Sequence, residues 1–209
     1  MMKLDLHVHT TVYSPCSVMS PDEAARAAVE AGLDGLCITE HNRPWSREDA
    51  GALSDKHGLL VFRGMEVTTT GGDILVFGLE EEPHEMWTPA QLKEKVDRAG
   101  GVAIAAHPFR GFLLFGFGTL QMDLSQAVGN PTFSKVHGLE VCNSLVTDEE
   151  NEMARRVAEE MGLLKLGGSD AHNVRAVGTC ITDFQDEIRD EKDLIAAILS
   201  GRHTTRRMK

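Results

Sequence analysis

Strand-like apolar runs alternate with capped helical segments along almost all of this 209-residue chain, and that alternation restricts the fold more than any other feature. Leu4, Leu6 and Val8 recur at the two-residue period of a strand. Ser20-Pro21-Asp22-Glu23 combines a capping box with proline at the first helical position, which predicts a helix through AARAAVEA that stops at Gly32. Next come the strand DGLCIT, a helix capped by Ser46 and ending near Gly58, and the strands LLVFRGME and DILVFGL. Thr88-Pro89-Ala90-Gln91 opens a third helix that closes at Gly100-Gly101, and the strand VAIAA follows. Beyond a long apolar loop lie the strand GLEVC, a helix capped by Thr147 with Glu150 three residues on, the strands LLKLG and GTCIT, and a last helix from Asp190 to Gly201. This rhythm predicts mainly parallel strands wrapped by helices. The chain is 42% hydrophobic and 25% charged, without internal repeat, low-complexity tract or long linker, so residues 1–209 are expected to form a single α/β domain around one core.

Polar residues fall at one end of these strands. In LDLHVHT, His7 and His9 are two apart and project from the same face of the strand tip. Alone they read either as half of a metal site or as a pair of hydrogen-bonded surface histidines. The rest of the chain decides: Glu40 and His41, Glu66, His107, Asn143, and Asp170 and His172 each lie just past the C-terminal end of a predicted strand, where a barrel of parallel strands gathers its chemistry. So many imidazoles and carboxylates exceed the needs of one tetrahedral ion. Two or three divalent ions are expected, with Glu66 the best bridging carboxylate, and the mixed nitrogen and oxygen donors suit Zn, Mn or Fe.

Other features narrow the partners. A net charge of -11 disfavours a broad grip on a phosphate backbone, so nucleic acid is expected only as a short or terminal substrate. Cys16, Cys37, Cys142 and Cys180 show no CxxC spacing and are expected to be reduced thiols. No apolar stretch reaches membrane-span length and the start lacks a signal-peptide pattern, so a soluble, cytoplasmic protein is expected.

Five motifs in order, HVHT, ITEH, GME with GGDILVFG, AAHPFR and GSDAH, resemble those of the PHP family, the polymerase and histidinol phosphatase domain, over nearly the whole chain. The resemblance implies a distorted (β/α)7 barrel with the metal site at the C-terminal ends of the strands, two or three metal ions, and phosphoester hydrolysis. It carries over His7, His9, His41, Glu66, His107, Asp170 and His172 as ligands. Two positions depart from the pattern: Cys16 stands near where many relatives have Asp or His, and Asp73 where a histidine is frequent. Asp73 still offers oxygen to a metal, or else the ion there is weak or missing.

For the remaining residues the alternatives stay open. Glu40 either reaches the metals or, by strand alternation, faces away to orient a neighbour or form a salt bridge. Arg110, three residues after His107, either donates to phosphate oxygens as a fork or is a solvated loop residue; Arg43 and Arg175 share that choice. His57, His84, His137 and His203 are expected at helix ends or in loops. The stretch Arg110–Met122 is either a lid or a buried crossover. The expected activity is hydrolysis of a small phosphorylated substrate, a phosphomonoester of a small molecule or nucleotide, by water that divalent ions ionise near neutral pH, with Glu66, Arg110 and His172 as the catalytic set. His172 protonates the leaving group or a metal-bound water does so. The rival readings are an amidohydrolase-like metal hydrolase and a non-catalytic metal-bound interaction module.

Overall fold

The computed structural model describes residues 1–111 and 123–208, so most of the apolar stretch that follows Arg110 lies outside the described residues. Strand β1 (Met2–Val8) leads to α1 (Pro21–Glu30), β2 (Gly35–Ile38), α2 (Arg47–His57), β3 (Leu60–Thr69), β4 (Gly72–Phe77), α3 (Pro89–Ala99) and β5 (Val102–Ala105). Then come α4 (Leu124–Val128), a 3-10 turn (Pro131–Lys135), β6 (Gly138–Cys142), α5 (Asp148–Met161), β7 (Leu164–Gly167), β8 (Cys180–Phe184), α6 (Glu191–Ser200) and β9 (His203–Arg207). The caps stand where the sequence puts them: Ser20, Thr88 and Thr147 complete capping boxes, and Gly58, Gly100, Gly162 and Gly201 end helices in the left-handed conformation.

One sheet runs in the order β7-β6-β5-β4-β3-β2-β1-β8-β9. The α/β barrel class holds, with nine strands among the described residues rather than seven and with antiparallel pairs at β3–β4, β4–β5, β1–β8 and β8–β9. Connection length explains the first of these departures from mainly parallel pairing. Only Thr70 and Gly71 separate β3 from β4, far short of the dozen or so residues a parallel crossover needs.

The sheet curls until β7 lies against β8, and Thr182 joins them: its hydroxyl accepts from Gly167 N and donates to Gly167 O, both at 2.9 Å. A side chain on Gly167 would meet Ile181 O at 2.8 Å, so only glycine permits this approach.

Alternate strand residues divide between two apolar layers. Met65, Val67, Ile74, Val76, Leu139 and Val141 pack under Leu92 and Val96 of α3 and Val157 and Ala158 of α5. Phe62, Leu75, Phe77, Val102 and Ile104 pack with Leu194, Ala197 and Ile198 of α6. A third layer sets Val8, Leu36 and Ile38 against α1 and α2. Each such side chain contributes about 1.5–3 kcal/mol by leaving water.

Elements without apolar periodicity escape the sequence reading. β9, HTTRR, is largely exposed and owes its form to pairing with β8, so His203 sits in a strand rather than a loop, beside the ring of Phe184. Among the described residues no helix is long and apolar enough to cross a membrane.

Candidate metal centre

The period of β1 sends Asp5, His7 and His9 to one face, and all three are fully buried. This removes the surface-pair reading of the two histidines. Their Nε2 atoms point at each other, 3.0 Å apart. Glu66, in β3, faces them: its Oε2 lies 3.4 Å from His7 Nε2, 3.2 Å from His9 Nε2 and 3.1 Å from His41 Nδ1, while Oε1 lies 2.9 Å from His107 Nε2. Asp170 approaches from the far side, with Oδ1 at 3.4 Å from His7 Nε2 and 3.3 Å from His9 Nε2. The His9 ring packs against both His41 and His172, each 4.5 Å away between centroids.

Backbone geometry at the strand ends aims these side chains. His107 and Asp170 have positive φ, 28° and 57°, as does Asn42 beside His41 at 57°. A left-handed non-glycine residue costs on the order of 1–3 kcal/mol, and such strain gathers at functional sites. Asp5 fixes one of these turns. Its carboxylate accepts from Ser169 N, Ser169 Oγ and Gly178 N, tying the Asp170 loop to β1, and burial raises it to about 6 against those bonds. Gly168 lets the loop approach: a Cβ there would lie 2.5 Å from His7 Cβ.

Glu140, a buried residue of β6, orders the cluster from behind. Its Oε1 lies 3.0 Å from His7 Nδ1, and its Oε2 accepts from His107 N at 2.8 Å and from Asn143 Nδ2 at 2.9 Å. When neutral, His7 therefore carries its proton on Nδ1 and turns the Nε2 lone pair into the cluster, the arrangement a metal-binding imidazole needs. Ser14 does similar work at His9, with its Oγ 3.2 Å from Nδ1.

Burial opposes charge on His7, His9, Glu66 and Asp170, yet their mutual fields prevail. The carboxylates of Asp170, Glu140 and Glu66 hold His7 well above its ordinary range, and the carboxylates of Asp170 and Glu66 raise His9. Glu66 and Asp170 are held far down, chiefly by His7. Burial lowers His41 and His172, which keeps both neutral.

The donor set fits divalent cations. His9, His41 and His172; His7, His9 and Glu66; His7, His107 and Asp170; and Glu66, Asp73 and His107 each bring ligand atoms within 4.8 Å of one another. Asp170 Oδ1 is buried without a hydrogen-bond partner among the described residues, an oxygen that a cation would satisfy.

The structure thus gathers His7, His9, His41, Glu66, Asp73, His107, Asp170 and His172. Arg110 joins them, its guanidinium on Asp170 Oδ2. Asn143 also belongs, holding Glu140. Glu40 faces away, accepting from Thr10 and from Trp45 Nε1 at 3.1 Å. Cys16 is exposed and enters none of the ligand groups among the described residues. Arg43 lies over Tyr13 and pairs with Glu82, and Arg175 is exposed. Sequence reasoning missed Glu140, Asp5 and Ser14. A lone carboxylate inside GLEVC, and an aspartate in phase with His7 and His9, were the available signals for the first two.

Comparison with known proteins agrees with this geometry. The PHP domain pattern matches residues 5–113 and a PHP-associated pattern matches residues 148–203. The chain is 34% identical over 118 residues to the uncharacterized protein MJ1587 of Methanocaldococcus jannaschii, an alignment that covers 52% of this chain and 68% of that one. Its fold is similar to that of a two-domain protein from Bacteroides vulgatus containing a predicted PHP-like metal-dependent phosphoesterase, with TM-score 0.75, 20% identity and coverage of 98% of this chain and 64% of that one. PsfC from Pseudomonas syringae has TM-score 0.69 at 20% identity, covering 99% and 91%. The lesion-specific endonuclease PfuEndoQ from Pyrococcus furiosus has TM-score 0.62 at 18% identity, covering 98% and 57%. The chain belongs to the PHP family.

Proposed function

We propose that the protein is a metal-dependent phosphoesterase that hydrolyses a phosphomonoester of a small molecule or nucleotide. The observation that carries the reading is the convergence of five imidazoles and three carboxylates, Glu66 among them, with Arg110 at the margin. His7, His9, Glu66 and Asp170 would hold one divalent ion, Glu66, His107 and Asp73 a second, and His9, His41 and His172 offer donors for a third. Bound there, such ions lower the pKa of water toward neutrality and neutralise a phosphoryl group.

The chain's own residues supply orientation and charge. Glu66 presents both oxygens to separate imidazoles, so it suits a bridging role. Arg110 has donors left over from its bond to Asp170 and is half exposed, placed to take phosphate oxygens. His172 faces the Asp170 carbonyl through Nδ1 at 2.9 Å, and a carbonyl can only accept. The neutral ring therefore bears its proton on Nδ1 and a lone pair on Nε2, which favours His172 as a ligand over the donor to the leaving group.

The strands β6–β9 continue the sheet begun by β1–β5, which supports residues 1–209 as one unit across both matched segments. A net charge of -11 favours small phosphoesters over the long nucleic acid of an endonuclease. The test is a screen of protein reconstituted with Mn or Zn against histidinol phosphate, nucleoside monophosphates, short oligonucleotides and amide substrates. Turnover of phosphomonoesters supports the proposal. Amide hydrolysis alone supports an amidohydrolase, and bound metal without turnover supports an interaction module.

A further inference from the structure

A cavity of about 220 Å³ is lined in part by Asp73, His107, Arg110, Asn130, Thr132 and Phe133. Its polar groups are of both kinds. Among the described residues the Asp73 carboxylate has no hydrogen bond or ion pair, although Asp73 is half-buried. Asn130 uses its Oδ1 to cap the 3-10 turn, accepting from Thr132 N at 3.0 Å, which leaves its amide NH2 to donate. The Thr132 hydroxyl donates to Gly71 O at 3.1 Å and keeps its oxygen as an acceptor. Arg110 brings further donors, while Phe133 and Pro108 add apolar surface.

The geometry points to this cavity as the seat of the alcohol part of the substrate, and to a short polyol or sugar phosphomonoester as the substrate class; the inference rests on the phosphoesterase reading. A hydroxyl both donates and accepts. One oxygen of Asp73, the other remaining for a metal, and the amide NH2 of Asn130 line the same cavity and are matched to neighbouring hydroxyls, and the carbon skeleton can lie on Phe133 and Pro108 while Arg110 takes the phosphate. Size allows it. A volume of about 220 Å³ accommodates a chain of roughly three to five hydroxylated carbons, and the preference over a nucleoside rests on the hydroxyl-matched polar groups rather than on an aromatic base platform. Asp73 and His107 line the cavity and share a ligand group with Glu66, so a phosphate at the cluster and its alcohol in the cavity are one short bond path apart.

The experiment compares kcat/KM of the metal-reconstituted full chain on glycerol 3-phosphate, erythrose 4-phosphate, adenosine 5'-monophosphate and p-nitrophenyl phosphate. Asn130→Ser, in which serine can still cap the turn, is measured alongside. The expected result is at least tenfold preference for the short polyol phosphates over the nucleotide. Asn130→Ser should lower that preference about tenfold relative to p-nitrophenyl phosphate, mainly through KM, with unchanged metal content. Hydrolysis of p-nitrophenyl phosphate with preference for the nucleotide, or a preference that Asn130→Ser leaves intact, overturns the cavity assignment while the phosphoesterase reading stands. No hydrolysis of any phosphoester overturns both.

Discussion

Replacing Glu140 by glutamine removes one charge and almost no volume, and the consequences follow from its hydrogen bonds. The carboxylate accepts from three donors: His7 Nδ1 on one oxygen, His107 N and Asn143 Nδ2 on the other. Glutamine has one carbonyl oxygen and one NH2, so in either orientation a donor must face a donor. If the NH2 faces His107 and Asn143, a backbone N–H is left unsatisfied in a buried site, costing about 1–3 kcal/mol. If it faces His7, the ring must shift its proton to Nε2, the nitrogen that points at His9 and Glu66, and its lone pair leaves the cluster. Either way metal affinity should fall about 10–100-fold, the usual effect of losing a partner behind a ligand, or about 1.4–2.7 kcal/mol. Competition with a chromophoric chelator measures the affinity, and circular dichroism checks the fold. Metal affinity within twofold of the parent would refute the assignment of Glu140 as the residue that orients His7.

Three further predictions concern different parts of the site. Arg110→Ala should keep the full metal content and lose phosphoester turnover by about 2–4 kcal/mol of transition-state stabilisation, read from kcat/KM beside elemental analysis; loss of metal instead would make Arg110 a structural partner of Asp170. Gly168→Ala places a Cβ 2.5 Å from His7 Cβ and 2.8 Å from His7 N, so overpacking should destabilise the fold by about 1–3 kcal/mol, visible in denaturant titration. In chelator-treated protein, His7 and His9 are raised above 6.5, so their stabilisation is fully present below pH 6.5 and lost as pH rises through their folded values. The melting temperature of the metal-free form should therefore fall as pH rises above 6.5, whereas the metal-loaded form, whose imidazoles are already deprotonated, should not share that fall; parallel curves for the two forms would count against the histidines as ligands.

Much of the architecture was legible because capping and periodicity are local. The boxes at Ser20, Thr88 and Thr147 mark their helices without any knowledge of the fold, and the two-residue period of β1 places His7 and His9 together. Strand direction was less legible. β4 turns back after a two-residue connection, and β8 pairs antiparallel to β1 by tertiary contact that no local pattern encodes. The same division holds in the site. Ligands announce themselves as imidazoles at strand ends, whereas Glu140 matters because β6 pairs beside β5 and its carboxylate reaches His7 of β1, a relation set by the closed sheet. Glu40, adjacent to His41 but two residues past the end of β2, turns to Thr10 and Trp45 through tertiary hydrogen bonds.

The central claim is that Glu66 joins more than one divalent ion in a single buried cluster. Elemental analysis of the full-length chain and of Glu66→Gln, both reconstituted with Mn and Zn and freed of excess metal, tests it most directly. The account predicts at least two ions per chain in the parent and loss of metal with loss of phosphoester turnover in Glu66→Gln, the circular dichroism of the two being the same. One ion or none in the parent, or a Glu66→Gln protein that keeps its metal and its activity, would contradict it.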